Sequence, residues 1–181
     1  MKRTYLIAIV TPMAALAIAA CDSDSKNAGG GGGGGATCSA VIPMQVTGEL
    51  SPMYSWTDGA VSSLTVARTE NLEFIAANPT ACVPPNEPDP MCELAYSRSS
   101  LPNPENPETL PNNVDSPLMH GASPSLGGGF PTEVALVNEN PLENGVEYQA
   151  SVIRTLEDGN VECGCVRFNA GTSADDDNNC L

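Results

Sequence analysis

Histidine is almost missing: His120 is the only one in 181 residues. A Ser-His-Asp relay would have to run through it, and no G-x-S-x-G motif accompanies it. A blue-copper centre needs two histidines and a cysteine in one cluster, so that class is excluded. His120 lies in the turn-rich stretch SPLMHGASPSLGGGFP, where a surface or packing role is expected. Aromatic residues are also few, one Trp, three Phe and four Tyr. That argues against a deep aromatic cleft for sugars or flat cofactors, and no cofactor is expected. Basic residues are scarce, seven Lys and Arg against 22 Asp and Glu, for a formal charge of −15. Such a chain is repelled by phosphate backbones and anionic headgroups, which excludes nucleic acid as a partner. Beyond the N-terminal segment no stretch carries a helical apolar period, and no internal repeat is found.

Among what is present, the N-terminus comes first. Lys2 and Arg3 precede an uncharged, largely aliphatic run to Ala20, the layout of a secretory signal and marginal for a membrane span. The run ends in Ile18-Ala19-Ala20-Cys21, which resembles the lipobox of bacterial lipoproteins. The resemblance implies cleavage before Cys21 and lipidation of its thiol. The expected partner is therefore the membrane, reached through lipid, with further envelope proteins as candidates and no small molecule assigned. The expected location is the extracytoplasmic side of a bacterial envelope, with inner membrane, outer membrane and cell surface left open. Losing Lys2 and Arg3 leaves five basic residues against 22 acidic, a formal −17, so acyl chains must supply the attachment.

Behind Cys21 come polar residues and then seven glycines, 29–35. Such a run has nothing to bury and much backbone entropy to lose, so a flexible tether is expected. About 15 residues of such a coil span roughly 20–23 Å root-mean-square. A phosphate-binding loop is excluded, because no Lys-Ser/Thr follows and no flanking strand and helix are predicted.

Six cysteines remain: Cys38, Cys82, Cys92, Cys163, Cys165 and Cys180. An even number in an exported chain reads as disulfides. Cys82 and Cys92 bracket the stiff VPPNEPDPM and suit a local bridge. Cys163 and Cys165, if extended, share one face at the limit of disulfide reach, so each is expected to pair elsewhere. A zinc site at Cys163-Gly164-Cys165 is disfavoured, since thiolate sites usually use C-x₂-C pairs. Asp175, Asp176 and Asp177 are the best metal candidates, as hard oxygen ligands for Ca²⁺. They lack the calcium-loop glycine and distal glutamate, so a solvated acidic tail is the expectation.

The rest reads as strands. AVIPMQV is a first strand, and PMYSWTDGAVSSLTVAR gives two around Asp58-Gly59, with Leu64 and Val66 alternating against Ser63 and Thr65. NLEFIAA is read as a further short strand. Residues 77–117 hold ten of the 16 prolines and read as an irregular excursion with one extended piece, CELAYSRSS. TEVALV is a strand. Tyr148, Ala150 and Val152 alternate with Gln149 and Ser151, and Asp158-Gly159 predicts a type I′ hairpin turn returning through Val161 to Phe168.

Leu142-x-x-Gly145-x-x-Tyr148-x-Ala150-x-Val152 resembles the E–F corner and F strand of fibronectin type III-like domains, where a tyrosine hydroxyl bonds to upstream backbone. Trp56 is similar to the B-strand tryptophan that plugs their core. The resemblance covers 42–66 and 132–168 and implies an all-β chain, a single antiparallel β-sandwich. It also implies Cys38–Cys163 and Cys165–Cys180 as the remaining disulfides. The expected organisation is a signal over 1–20, a lipidated tether over 21–37, a sandwich over 38–170 with the Pro-rich insertion, and an acidic tail over 171–181. Such domains are mostly binding or spacer modules, so the expected role is a structural or protein-interaction module and not an enzyme. A small-ligand or Ca²⁺-binding envelope lipoprotein is the alternative.

Overall fold

AVIPMQV forms two strands, β1 (Cys38–Val41) and β2 (Met44–Val46). Pro43 has no N–H to give a ladder, and at Ile42-Pro43 the chain leaves one sheet for the other. The computed structural model describes residues 38–78, 80–82, 90–102, 111–124, 126–127, 130–131, 133–137 and 141–172. The signal, the tether and the acidic tail from 173 onward lie outside them.

Two sheets carry the described chain. The larger has six strands in the order β1-β11-β10-β4-β5-β9. These are β1, β11 (Val161–Asn169), β10 (Glu147–Thr155), β4 (Ser63–Arg68), β5 (Tyr96–Ser100) and β9 (Glu133–Val137). The smaller is β2, β3 (Met53–Trp56) and β6 (Leu118–Met119). A short pair, β7 (Leu126–Gly127) and β8 (Phe130–Pro131), stands apart. All pairings in the two larger sheets are antiparallel except β1 with β11, which is parallel.

Alternation decides what each sheet buries. From the larger sheet Leu64, Val66, Tyr96, Tyr148, Ala150, Val152, Val166 and Phe168 enter one core; from the smaller come Met44, Val46, Tyr54 and Trp56. Rings meet across the sheets: Tyr54 lies 6.3 Å from Tyr96, stacked, and 6.3 Å edge-on from Phe168.

Three expectations are corrected. NLEFIAA is not a strand but most of α1 (Thr69–Ala77), so the described chain is β-rich and not purely β. Thr69, Leu72 and Ile75, three apart, are buried together while Glu70, Glu73 and Ala76 face water. Leu, Glu and Ala also favour a helix intrinsically. The Asp158-Gly159 turn is in place, but its central residues are Glu157 and Asp158. Gly159 N–H closes the turn on Leu156 O at 3.0 Å, Leu156 N–H reaches Asn160 O at 2.8 Å, and Gly159 alone takes positive φ, +83°. This is the turn-plus-bulge hairpin and not type I′. Finally, CELAYSRSS is extended as expected, but it does not stand in an irregular excursion. Its last five residues are β5, an interior strand between β4 and β9.

Candidate functional site

Local chemistry in this chain is concentrated in its cysteines, so the site begins there. Cys82 is bonded to Cys92 with Cα atoms 5.5 Å apart, and Cys38 to Cys163 at 5.6 Å. Cys165 is also disulfide-bonded; the Cys180 expected opposite it lies outside the described residues. Cys163 and Cys165 share the face opposite Val166 and Phe168 and do not pair with each other. The glycine between them has a steric duty. A Cβ on Gly164 would sit 2.2 Å from the Ile42 carbonyl oxygen and 3.0 Å from the Ile42 Cβ. There the chain crosses between sheets, with Ile42 N–H donating to Cys163 O at 2.7 Å. Gly164→Ala is expected to cost about 1–3 kcal/mol in denaturant unfolding, because backbone cannot yield as a side-chain tip can.

His120 is a packing residue. It is 6% exposed, its N–H donates to Pro52 O at 2.9 Å, and its Nδ1 shares a 2.8 Å hydrogen bond with the Tyr54 hydroxyl. Its ring centroid lies 5.1 Å from that of Tyr96. Burial pushes the Tyr54 phenol far above its ordinary value, with Tyr96 and Tyr148 adding to the rise. Tyr54 is therefore neutral at physiological pH and serves as a hydrogen-bonding prop, not a base.

Two arginines that the sequence reading did not single out are buried. Arg98, on β5, is 1% exposed; its Nη2 donates to Ser123 O at 2.8 Å and its Nε lies 3.1 Å from Glu133 Oε2 on β9. Burial raises the Glu133 carboxyl; Arg98 opposes this only in part, and Asp115 adds to the rise. A carboxyl raised in the folded state favours folding fully below its unfolded value, and that benefit fades as pH climbs through the folded one. Relative to Glu133→Gln, the wild-type chain should thus lose stability as pH rises above about 4.5, the ordinary glutamate value. Urea unfolding of both at pH 4 and pH 7 measures this. A wild type that gains on the variant over that interval would show the Arg98 attraction outweighing burial.

Arg154, on β10, is 7% exposed and gathers the turn that joins the two sheets. Its Nε donates to Ala60 O at 3.0 Å, and its Nη2 to Thr57 O at 2.8 Å and Gly59 O at 2.9 Å. Its Nη1 meets Glu162 Oε2 at 3.0 Å, directly across the β10–β11 ladder. The turn takes positive φ at Asp58, +67°, and Gly59, +98°, and Trp56 Nε1 donates to Gly59 O at 3.0 Å.

At the opposite end of the strands lies an open cleft of about 320 Å³, with Arg68, Asn71, Glu93, Leu142, Glu143 and Tyr148 among its lining. Several of its polar groups are already paired. Arg68 pairs with Glu143 and Glu70, Asn71 Nδ2 donates to Glu93 O at 3.0 Å, and Glu143 N–H donates to the Tyr148 hydroxyl at 3.2 Å. Nucleophile, base and orienting group do not converge there. Among the described residues no group of three or more His, Cys, Asp or Glu is placed to hold a metal, and no helix is long and apolar enough to cross a membrane. Cys21, Asp175, Asp176 and Asp177 lie outside the described residues.

The fold thus puts its buried polar chemistry into staples, a turn clamp and ring packing. No protein-family model matches the chain, and comparison with curated proteins and with solved structures yields no match either.

Proposed function

We propose that this chain is a lipid-anchored extracytoplasmic module with a structural or protein-interaction role and no catalytic step, held to the bacterial envelope through Cys21. The observation that carries this reading is the state of the cysteines. All five described ones, Cys38, Cys82, Cys92, Cys163 and Cys165, are disulfide-bonded, as suits an oxidising compartment. Cys180 makes the set even, and Cys21 is the odd one, sitting where the lipobox-like Ile18-Ala19-Ala20 places it.

The proposed domain is a fibronectin type III-like sandwich. In such sandwiches strands A, B and E share one sheet, and C, F and G the other. The order β2-β3-β6 facing β4, β10 and β11 fits that division. Trp56 is 7% exposed within the shared core, and the Tyr148 hydroxyl takes its hydrogen bond from backbone five residues upstream, as a tyrosine corner does.

Cys21→Ser is the direct test. In cells that process lipoproteins, the wild-type chain should sediment with membranes and need detergent for release. The variant's membrane-bound share should fall about tenfold or more, since two or three acyl chains supply the attachment. A variant that stays in the membrane pellet would remove the lipid anchor from the account.

A further inference from the structure

We propose that the Cys38–Cys163 disulfide, and not packing, fastens the N-terminal strand to the sheet. On this view it is the coupling through which any pull on the preceding chain enters the fold, and breaking it frees β1 while the sheet behind it stays folded.

The burial of β1 is the first ground. Cys38 is half-buried and Ser39, Ala40 and Val41 are exposed, Val41 by 68%. Among the described residues the strand sits at an edge and pairs with β11 alone, in parallel and with a register slip between Cys38 and Ala40. Ser39 Oγ adds an exposed bond, donating to Val161 O at 2.9 Å. Edge segments with few apolar contacts open at little free-energy cost.

The second ground is the abrupt change at the next residue. Ile42 is 2% exposed, donates to Cys163 O, and lies against Gly164. Fraying from the N-terminal side should therefore stop at Ile42.

The third ground is covalent topology. The bond joins the first residue of β1 to Cys163, which is 1% exposed on β11. A pull arriving at Cys38 would otherwise unzip an edge ladder pair by pair. With the bond in place the load passes to β11, whose nine-residue antiparallel ladder with β10 must shear as a unit. The ring closed by the bond spans 125 residues and contains every strand from β1 to β10. Pulling between the N-terminus and β11 cannot extend that ring, whereas the opened chain could extend by roughly 410–450 Å. The inference holds for any source of tension on the N-terminal segment. With the lipid reading above, that source is the membrane anchor.

Amide hydrogen exchange on the full mature chain tests it, comparing the oxidised protein with Cys38→Ser/Cys163→Ser. The expected result is that amides of 39–41 exchange at free-peptide rates in the variant, about 100-fold or more faster than in the oxidised chain. Amides of β4 and β10 in that same variant should remain at least about tenfold slower than those of β1. Amides of 39–41 slowed within about threefold of the oxidised chain would overturn the proposal, because the ladder would then suffice. Exchange in β4 and β10 as fast as in β1 would overturn it too, since the bond would then hold the whole fold. A second variant covers the case of a chain that does not fold. Ala40→Pro, with the disulfide intact, should leave the melting temperature within about 2 °C, and a larger fall would show that the β1 ladder matters on its own.

Discussion

Cys38→Ser/Cys163→Ser is expected to lower unfolding free energy by about 5 kcal/mol, nearly twice the loss from Cys82→Ser/Cys92→Ser. The two bonds close rings of very different size, with sequence separations of 125 and 10. In the chain-entropy account the denatured ensemble loses freedom with the logarithm of ring length. That gives about 5 kcal/mol for the long ring and about 2.7 kcal/mol for the short one. The effect acts on the unfolded chain and does not require β1 to pack well. Domains of this size are stable by only about 5–15 kcal/mol, so the first variant gives up a large share of that margin while the fold persists. Guanidinium unfolding of both pairs checks the ranking, and the long-ring variant should also show the steeper denaturant dependence, because its unfolded state expands more. Equal losses from the two pairs would mean that native geometry, and not ring size, sets their worth.

Arg154→Ala is expected to cost about 3–5 kcal/mol. The guanidinium serves three carbonyls, Thr57, Gly59 and Ala60, and one carboxylate, Glu162. Truncation removes all four bonds at once, and each hydrogen bond to a charged group is worth about 1.5–3 kcal/mol before relaxation and water entry, easy at the exposed Thr57 and Gly59, recover part of it. The turn they belong to has few alternatives, since Asp58 and Gly59 both hold positive φ. It also positions Trp56, whose indole N–H shares the Gly59 carbonyl with Arg154. Arg154→Lys should recover less than half of the loss, because a point ammonium cannot reproduce the planar fork. Denaturant unfolding with the disulfides intact reads both values, and near-wild-type stability of Arg154→Ala would show that water substitutes for the clamp.

Legibility in the sequence followed range. Where one face of a strand packs on the core, alternation is written locally. Leu64 with Val66, and Tyr148 with Ala150 and Val152, identified their strands and inward faces. The same alternation carried a signal that charge concealed. Arg154 is the next inward position after Val152, and Arg98 stands two after Tyr96, so period two places both guanidiniums inside. Charge type argues for solvent, and tertiary partners decide otherwise: Glu133 for one, and the turn carbonyls with Glu162 for the other. Helix α1 was missed because nine residues hold under three turns, and half of its buried face is polar, Thr69 and Asn71 beside Leu72 and Ile75. The dipeptide Asp158-Gly159 located a turn but not its type, which depends on where the glycine falls relative to the ladder. Gly164 had no local signal at all, because the atom that forbids its Cβ belongs to Ile42, at the far end of the chain.

The cysteines divide in the same way. The Cys82–Cys92 bridge was readable from a short proline-stiffened spacer, whereas Cys38–Cys163, which depends on which strand lies at the sheet edge, was expected only through the fibronectin-like resemblance. If Cys165 pairs with Cys180, as expected, Cys21 is left over, and on it rests the proposal that this is an anchored module. Intact-mass analysis of the chain extracted from bacterial membranes, without reduction, tests that proposal most directly. The account predicts a chain beginning at Cys21, heavier by two or three acyl chains, with no thiol open to alkylation. An unlipidated Cys21, or free thiols at Cys38, Cys82, Cys92, Cys163, Cys165 or Cys180, would contradict it.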